Sequence, residues 1–258
     1  NYCYTSYADL TGSTVFLGVM LFNLYLYADF SAYSDIARGV ARLMGIELTQ
    51  NFKMPFFSRN PGEFWRRWHT SLRKWMLDYL YLPMGGNRGG TFFTYRNLMI
   101  TMVLGGLWHG AAWNFVLWGF YHGALLCIHR YLSPYLDRAE QAIPLPRALW
   151  LTLHIACMFV MTCYGWLLFR ATSLDQITQM TSALASPLQG LDVAQLQQVC
   201  LYALPLVLVQ ILQWRTGELQ FMRLAIIPTW LKPVLYAGMF YATVFMGGTP
   251  QSFVYFQF

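Results

Sequence analysis

Apolar residues along this chain come in long runs. Stretches near 11–29, 97–129, 148–169, 197–213 and 231–247 carry very little charge, and a membrane-spanning helix needs about 20 such residues. The run near 97–129 is too long for one span. It holds Gly105-Gly106 and Gly110, so it predicts two helices, or one broken helix, meeting around His109. Pro205 lies inside the fourth run and predicts a kink, because proline has no N–H for the helix ladder. The block from about 30 to 96 differs. Within it, Glu63–Tyr81 predicts one amphipathic helix rich in Trp, Phe and Leu, with Arg66, Arg67, Arg73 and Lys74 on it. That is the make-up of an interfacial or re-entrant helix, bracketed by Pro61-Gly62 and Pro83. Gly85-Gly86-Asn87-Arg88-Gly89-Gly90 predicts a tight loop, without the spacing of a P-loop or dinucleotide fingerprint.

Composition rules out one soluble core. The 258 residues are 57% hydrophobic, 18% aromatic and 11% charged, against about 25% charged in soluble domains. A mean hydropathy of +0.38 leaves too little polar surface to cover such a core, and lipid as solvent removes the problem. The expected fold class is an all-α polytopic membrane protein, a single membrane domain over 1–258. The 30–96 block holds ten of the 17 Lys/Arg and four of the eleven acids. Charge concentrated beside spans points to the cytoplasmic side, and a block facing anionic headgroups fits it equally. The chain opens at Asn1 without a basic leader region, so it is expected to be N-terminally incomplete, while Gly247 to Phe258 has the look of a natural end. The five cysteines (Cys3, Cys127, Cys157, Cys163 and Cys200) form no C-x-x-C pair and are expected to face lipid or core.

Ionisable groups at membrane depth are functional candidates. His109 stands in Gly105-Gly106-Leu107-Trp108-His109-Gly110-Ala111-Ala112-Trp113-Asn114. Small neighbours leave room for a ligand, and a neutral imidazole can take a proton from a hydroxyl. A hydrogen-bonded packing histidine is the other reading. His69 closes Glu63-Phe64-Trp65-Arg66-Arg67-Trp68-His69, where Arg66 and Arg67 suit a phosphate-bearing donor or the phosphates of lipid. Asp29 and Asp35 flank Phe30-Ser31-Ala32-Tyr33-Ser34 and either line a polar cavity or cap a helix running through Ile36 to Met44. His122 and His129 share a helix face, but no carboxylate or cysteine stands at metal-ligand spacing, so no metal is expected. His154 lies alone in an apolar run. No G-x-S-x-G elbow is present, which argues against a serine hydrolase.

Tyr27-Ala28-Asp29-Phe30-Ser31-Ala32-Tyr33-Ser34-Asp35-Ile36-Ala37 resembles a signature of the membrane-bound O-acyltransferase family. So do the segments Glu63–His69, Gly85–Gly90 and Gly106–Gly110, and Phe253–Phe258 is similar to the family's C-terminal end. These motifs are dense from about 24 to 123 and match best the bacterial alginate O-acetyltransferase-like branch. The resemblance implies a ring of tilted and re-entrant helices around a central funnel. It implies that His109 is the family's invariant histidine and that His69 is the second polar residue. It implies acetyl-CoA as acyl donor, with no bound cofactor, and residence in the bacterial cytoplasmic (inner) membrane. The partners it implies are an extracytoplasmic acetyltransferase protein and a polysaccharide acceptor such as alginate, with no nucleic acid.

On this footing the donor enters from the basic side and Arg66, Arg67 or Lys74 meet its phosphates. His109 is the general base, with a transient acyl-imidazole as the variant. His69 orients it, while Trp108, Trp113 and Asn114 shape the tunnel and Asn114 faces the oxyanion. Asp29 and Ser31 are further candidates. Peptidoglycan, cellulose and teichoic acid remain alternative acceptors. A non-catalytic subunit of a polysaccharide export complex and a transporter are the rivals from other classes.

Overall fold

The computed structural model describes residues 11–186, 190–223 and 227–245. Cys3, the end of the 231–247 run and the Phe253–Phe258 motif lie outside the described residues. Nine α-helices and no strand occur among the described residues: α1 Gly12–Leu43, α2 Pro61–Arg67, α3 Thr70–Met76, α4 Thr91–His109, α5 Trp113–Ala142, α6 Arg147–Arg170, α7 Leu174–Ala183, α8 Val193–Thr216 and α9 Leu231–Phe245. By length and composition α1, α6 and α8 can each cross a membrane. The chain is an all-α polytopic membrane protein. The 97–129 run is two helices, and α4 and α5 carry enough polar residues to fall short of that criterion. The described part of α9 has 15 residues, fewer than the ~20 of a span.

The first helix runs well past the apolar stretch that predicted it. Thr11 caps it, accepting from the Thr14 N–H. Val15, Val19, Asn23, Leu26, Phe30 and Ser34 repeat every three to four residues along its buried face. Asp29 and Asp35 therefore lie inside the helix rather than at its N-cap. Asp35 instead pairs with Arg38 one turn on, at 3.0 Å. Termination comes at Gly45, in the left-handed region with φ +75°. Its N–H donates to Arg42 O and that of Ile46 to Ala41 O, the paired bonds of a Schellman end.

The single helix expected over 63–81 is broken, which corrects that expectation. α2 stops at Arg67, Trp68 is extended, and His69 turns left-handed with φ +43° before α3 begins. Leu77–Tyr81 then forms a π-turn. The cause is tertiary. The 50–53 loop lies against the break and replaces the lost helical bonds: Lys53 N donates to Arg67 O and Thr70 N to Asn51 O, while Ser71 N donates to Asn51 Oδ1. The extended residue drives Trp68 into the core, where 2% of it is exposed.

Helices α4 and α5 form an antiparallel hairpin with almost no space between their backbones. A Cβ on Gly106 would sit 2.1 Å from Phe115 O, and one on Gly119 2.4 Å from Met102 O. Small residues allow this approach and the close packing it brings. Helix α6 lies against α5, and α1 against α6. The chain divides into two compact units, residues 1–202 and 203–258, with the boundary inside α8. In the second unit α8 continues through Pro205 to Thr216, and Gln213 Nε2 donates to Leu219 O in the turn that follows.

Candidate active site

The site lies in the first unit, where α4 ends. His109 is the last residue of α4, followed by Gly110 in extended conformation. A Cβ at Gly110 would meet the Phe115 ring at 2.5 Å, so only glycine lets α5 begin this close. The chain turns at 110–112, as the glycine pattern predicted. Three rings surround the imidazole: Trp108, Trp118 and Phe169, with centroids 5.0, 5.2 and 5.0 Å away. All three meet it edge to face, the arrangement ring quadrupoles favour. Trp118 comes from α5 and Phe169 from α6, so three helices fix one side chain.

His69 approaches from the break between α2 and α3, close enough that a charge on it would disfavour one on His109. Its ring stands edge-on to Phe30 at 4.8 Å, and its Nδ1 is 3.4 Å from Ser71 Oγ. Burial pushes its pKa down to about 4, so it is a neutral imidazole near pH 7. A non-glycine residue at φ +43° stores strain and is uncommon. Trp68, immediately before it, stacks on Phe64 and lies 4.9 Å from Trp166 of α6. Trp166 in turn meets Phe169 at 5.5 Å.

The basic residues divide. Glu63, buried in α2, accepts from the Arg59 N–H and Nε at 2.9 and 3.0 Å and from Arg67 Nη2 at 2.6 Å. Burial alone would raise its carboxyl pKa. The Arg59 N–H, the two guanidinium bonds and the Arg67 charge together hold it below the usual range. Arg67 also donates toward Lys53 O and Met54 O, so it braces the break. Arg66 and Lys74 are exposed. Half-buried Arg73 lies near Arg66, and burial together with that neighbouring charge lowers its pKa.

The remaining candidates scatter around this centre. One amide N–H of Asn114 is committed to Phe169 O at 3.0 Å, leaving one donor and the amide oxygen. Trp108 and Trp113 are exposed. Asp29 and Ser31 flank Phe30 in α1, and Ser31 donates to Ala28 O. His122 is buried among Phe64, Trp65, Trp118 and Tyr121. No group of residues suited to a metal occurs among the described residues.

Sequence reasoning passed over Trp118 and Phe169, which look like ordinary span residues until the helices bring them to His109, and over Trp166, which packs behind them. It also passed over Asn97. This residue is fully buried and donates to Met84 O and Gly86 O, both at 3.0 Å. Asn97 thereby clamps the glycine-rich loop, whose Gly85, Gly86, Gly89 and Gly90 all have left-handed φ.

Comparison with known proteins adds a second line. Residues 4–174 match the model of the MBOAT, membrane-bound O-acyltransferase, family. The chain is 44% identical over 193 residues to "Probable alginate O-acetylase AlgI" of Azotobacter vinelandii, covering 73% of this chain and 37% of that protein. It is 34% identical over 177 residues to the peptidoglycan O-acetyltransferase of Helicobacter pylori, covering 69% and 32%. To the teichoic acid D-alanyltransferase of Bacillus subtilis it is 31% identical over 163 residues, covering 57% and 39%. The chain spans about a third of the length of these curated relatives.

Proposed function

The chain belongs to the membrane-bound O-acyltransferase family, and from that premise we propose that it carries the catalytic histidine of a membrane O-acetyltransferase. The observation behind this is the placement of His109. It ends α4 beside Gly110, held by rings from two other helices, with a neutral His69 close by.

The chemistry is acyl transfer from a thioester to a hydroxyl. The acceptor hydroxyl gives its proton to the neutral His109 imidazole while its oxygen bonds to the thioester carbonyl carbon. Collapse of that adduct breaks the C–S bond. His109 returns the proton to the departing thiolate, leaving an ester and a free thiol. His69, uncharged at working pH, orients either His109 or the acceptor by hydrogen bonding. Exposed Arg66 and Lys74, with Arg73 beside them, suit the phosphates of a coenzyme A donor. Arg67 and Glu63 hold the break that presents His69. We assign Asn114 to fixing α5 against α6 through Phe169 O, with its second N–H left for the developing oxyanion.

The donor is acetyl-CoA and the acceptor lies on the far side of the inner membrane, reached through a partner protein. Greater identity to the alginate O-acetylase than to the D-alanyltransferase supports acetyl groups and a polysaccharide such as alginate. Inverted and right-side-out vesicles carrying the full-length protein test this arrangement. Label from acetyl-CoA should pass onward only when the cytoplasmic face meets the donor. Equal transfer in both orientations would contradict it.

A further inference from the structure

A cavity lies away from His109, between the far half of α5 and the near half of α6. Its volume is about 510 Å³, within the ~300–1,000 Å³ typical of ligand sites. One face of each helix forms it, with Arg59, Asn60 and Pro61 closing a side. On α5, Leu125, Ile128, Leu132 and Leu136 follow one another at helical spacing, and Met158 and Met161 of α6 face them. Polarity changes along its length. Toward the α5–α6 turn the cavity gathers Asp137, Glu140 and His154. Glu140 Oε1 and His154 Nε2 are 3.3 Å apart. From Leu125 to Glu140 the slot runs about 22 Å along α5. One leaflet with its headgroups, half of a bilayer's ~40–45 Å, is equally deep.

The rest of that half-helix also fits the membrane surface. Tyr131 and Tyr135 lie 6.0 Å apart and are exposed, and Arg138 lies over the Tyr135 ring. Exposed tyrosine with arginine marks the membrane–water boundary. Asp137 and Glu140 give the polar end two carboxylates, with His154 against Glu140.

We propose that this slot binds one molecule of an amine-bearing zwitterionic phospholipid, phosphatidylethanolamine. One acyl chain lies along Leu125, Leu132 and Met161. The ammonium meets Asp137 and Glu140, and the phosphate lies beside it at the water boundary. An anionic lipid such as phosphatidylglycerol brings its phosphate to the same carboxylates with no ammonium to offset them, and is disfavoured. The site is independent of the acyl-transfer chemistry at His109.

The test uses full-length protein purified in detergent, offered equal amounts of phosphatidylethanolamine and phosphatidylglycerol, with retained lipid read by native mass spectrometry. The expected result is one phosphatidylethanolamine per protein, favoured at least about five-fold. The Asp137→Asn/Glu140→Gln double variant, altered only at exposed positions, should keep its thermal midpoint and lose the preference. Met161→Trp should lower retention of both lipids by filling the apolar end. Equal retention of both lipids by the unaltered protein would overturn the proposal, as would a preference that survives the double variant. Retention of no lipid would also overturn it.

Discussion

Trp68 and Trp166 lie with ring centroids 4.9 Å apart, joining the residue just before the His69 turn to the helix that brings Phe169 against His109. Both indoles are buried. This contact ties the segment that carries His69 to the helix that packs against His109. Trp166→Ala should cost about 3–5 kcal/mol through the cavity it leaves. Acetyl transfer should fall further than the lost folded fraction explains, whereas Trp166→Phe should lose less of both. Thermal unfolding in detergent, with transfer assayed in parallel, checks it.

Glu63 is the acid on which the break depends. Removing it leaves the Arg67 and Arg59 guanidiniums without their carboxylate, and breaking a buried pair costs about 3–5 kcal/mol, with less expected here because Arg59 is exposed. Glu63→Ala should therefore lower the thermal midpoint more than Glu63→Gln. Its folded-state pKa is depressed, so its contribution is complete above the ordinary carboxylate range. It disappears as pH falls through that range toward the folded value. The midpoint of Glu63→Gln should vary less with pH below about 4.5.

Gly106 and Gly39 make a matched pair. Both are helical, yet a Cβ at Gly106 would strike Phe115 O while one at Gly39 meets nothing within 4 Å. Gly106→Ala should push α4 from α5 and destabilise by about 1–3 kcal/mol. Gly39→Ala should be neutral or stabilise by up to about 1 kcal/mol through helix propensity. Two unfolding curves decide this.

His69 carries a pH signature of its own. Its folded pKa is about 4 against an ordinary 6.5, so its protonation opposes folding. Stability is full above pH 6.5 and declines as pH falls toward 4, by up to about 3 kcal/mol. His69→Asn removes the titration and accepts the left-handed backbone, so its midpoint should stay flatter over that window. His69→Val should destabilise at every pH, because a β-branched residue at that φ is strained.

Much of this architecture was legible from residues. Gly105, Gly106 and Gly110 announced the α4–α5 turn and placed His109 at it. The bend at His69 was not legible, since Trp68-His69 contains neither glycine nor proline and the surrounding pattern is continuously amphipathic. The 50–53 loop, distant in sequence, supplies the hydrogen bonds that make it. The length of α1 was hidden for a simpler reason. Hydropathy drops at Asp29, but nothing breaks a helix before Gly45, and the Asp35–Arg38 pair supports the polar stretch. Arg67 drew attention as a phosphate ligand because charge is visible in sequence, whereas Glu63 as its partner is visible only once the helix is built.

Labelled acetyl transfer from acetyl-CoA, in membranes carrying the full-length protein, compares the unaltered chain with His109→Ala at matched abundance. Loss of transfer by at least about a hundred-fold, the lower range for a removed general base, is predicted, with membrane level and thermal midpoint retained. Undiminished transfer by the His109→Ala protein would contradict the account and leave that imidazole a packing group.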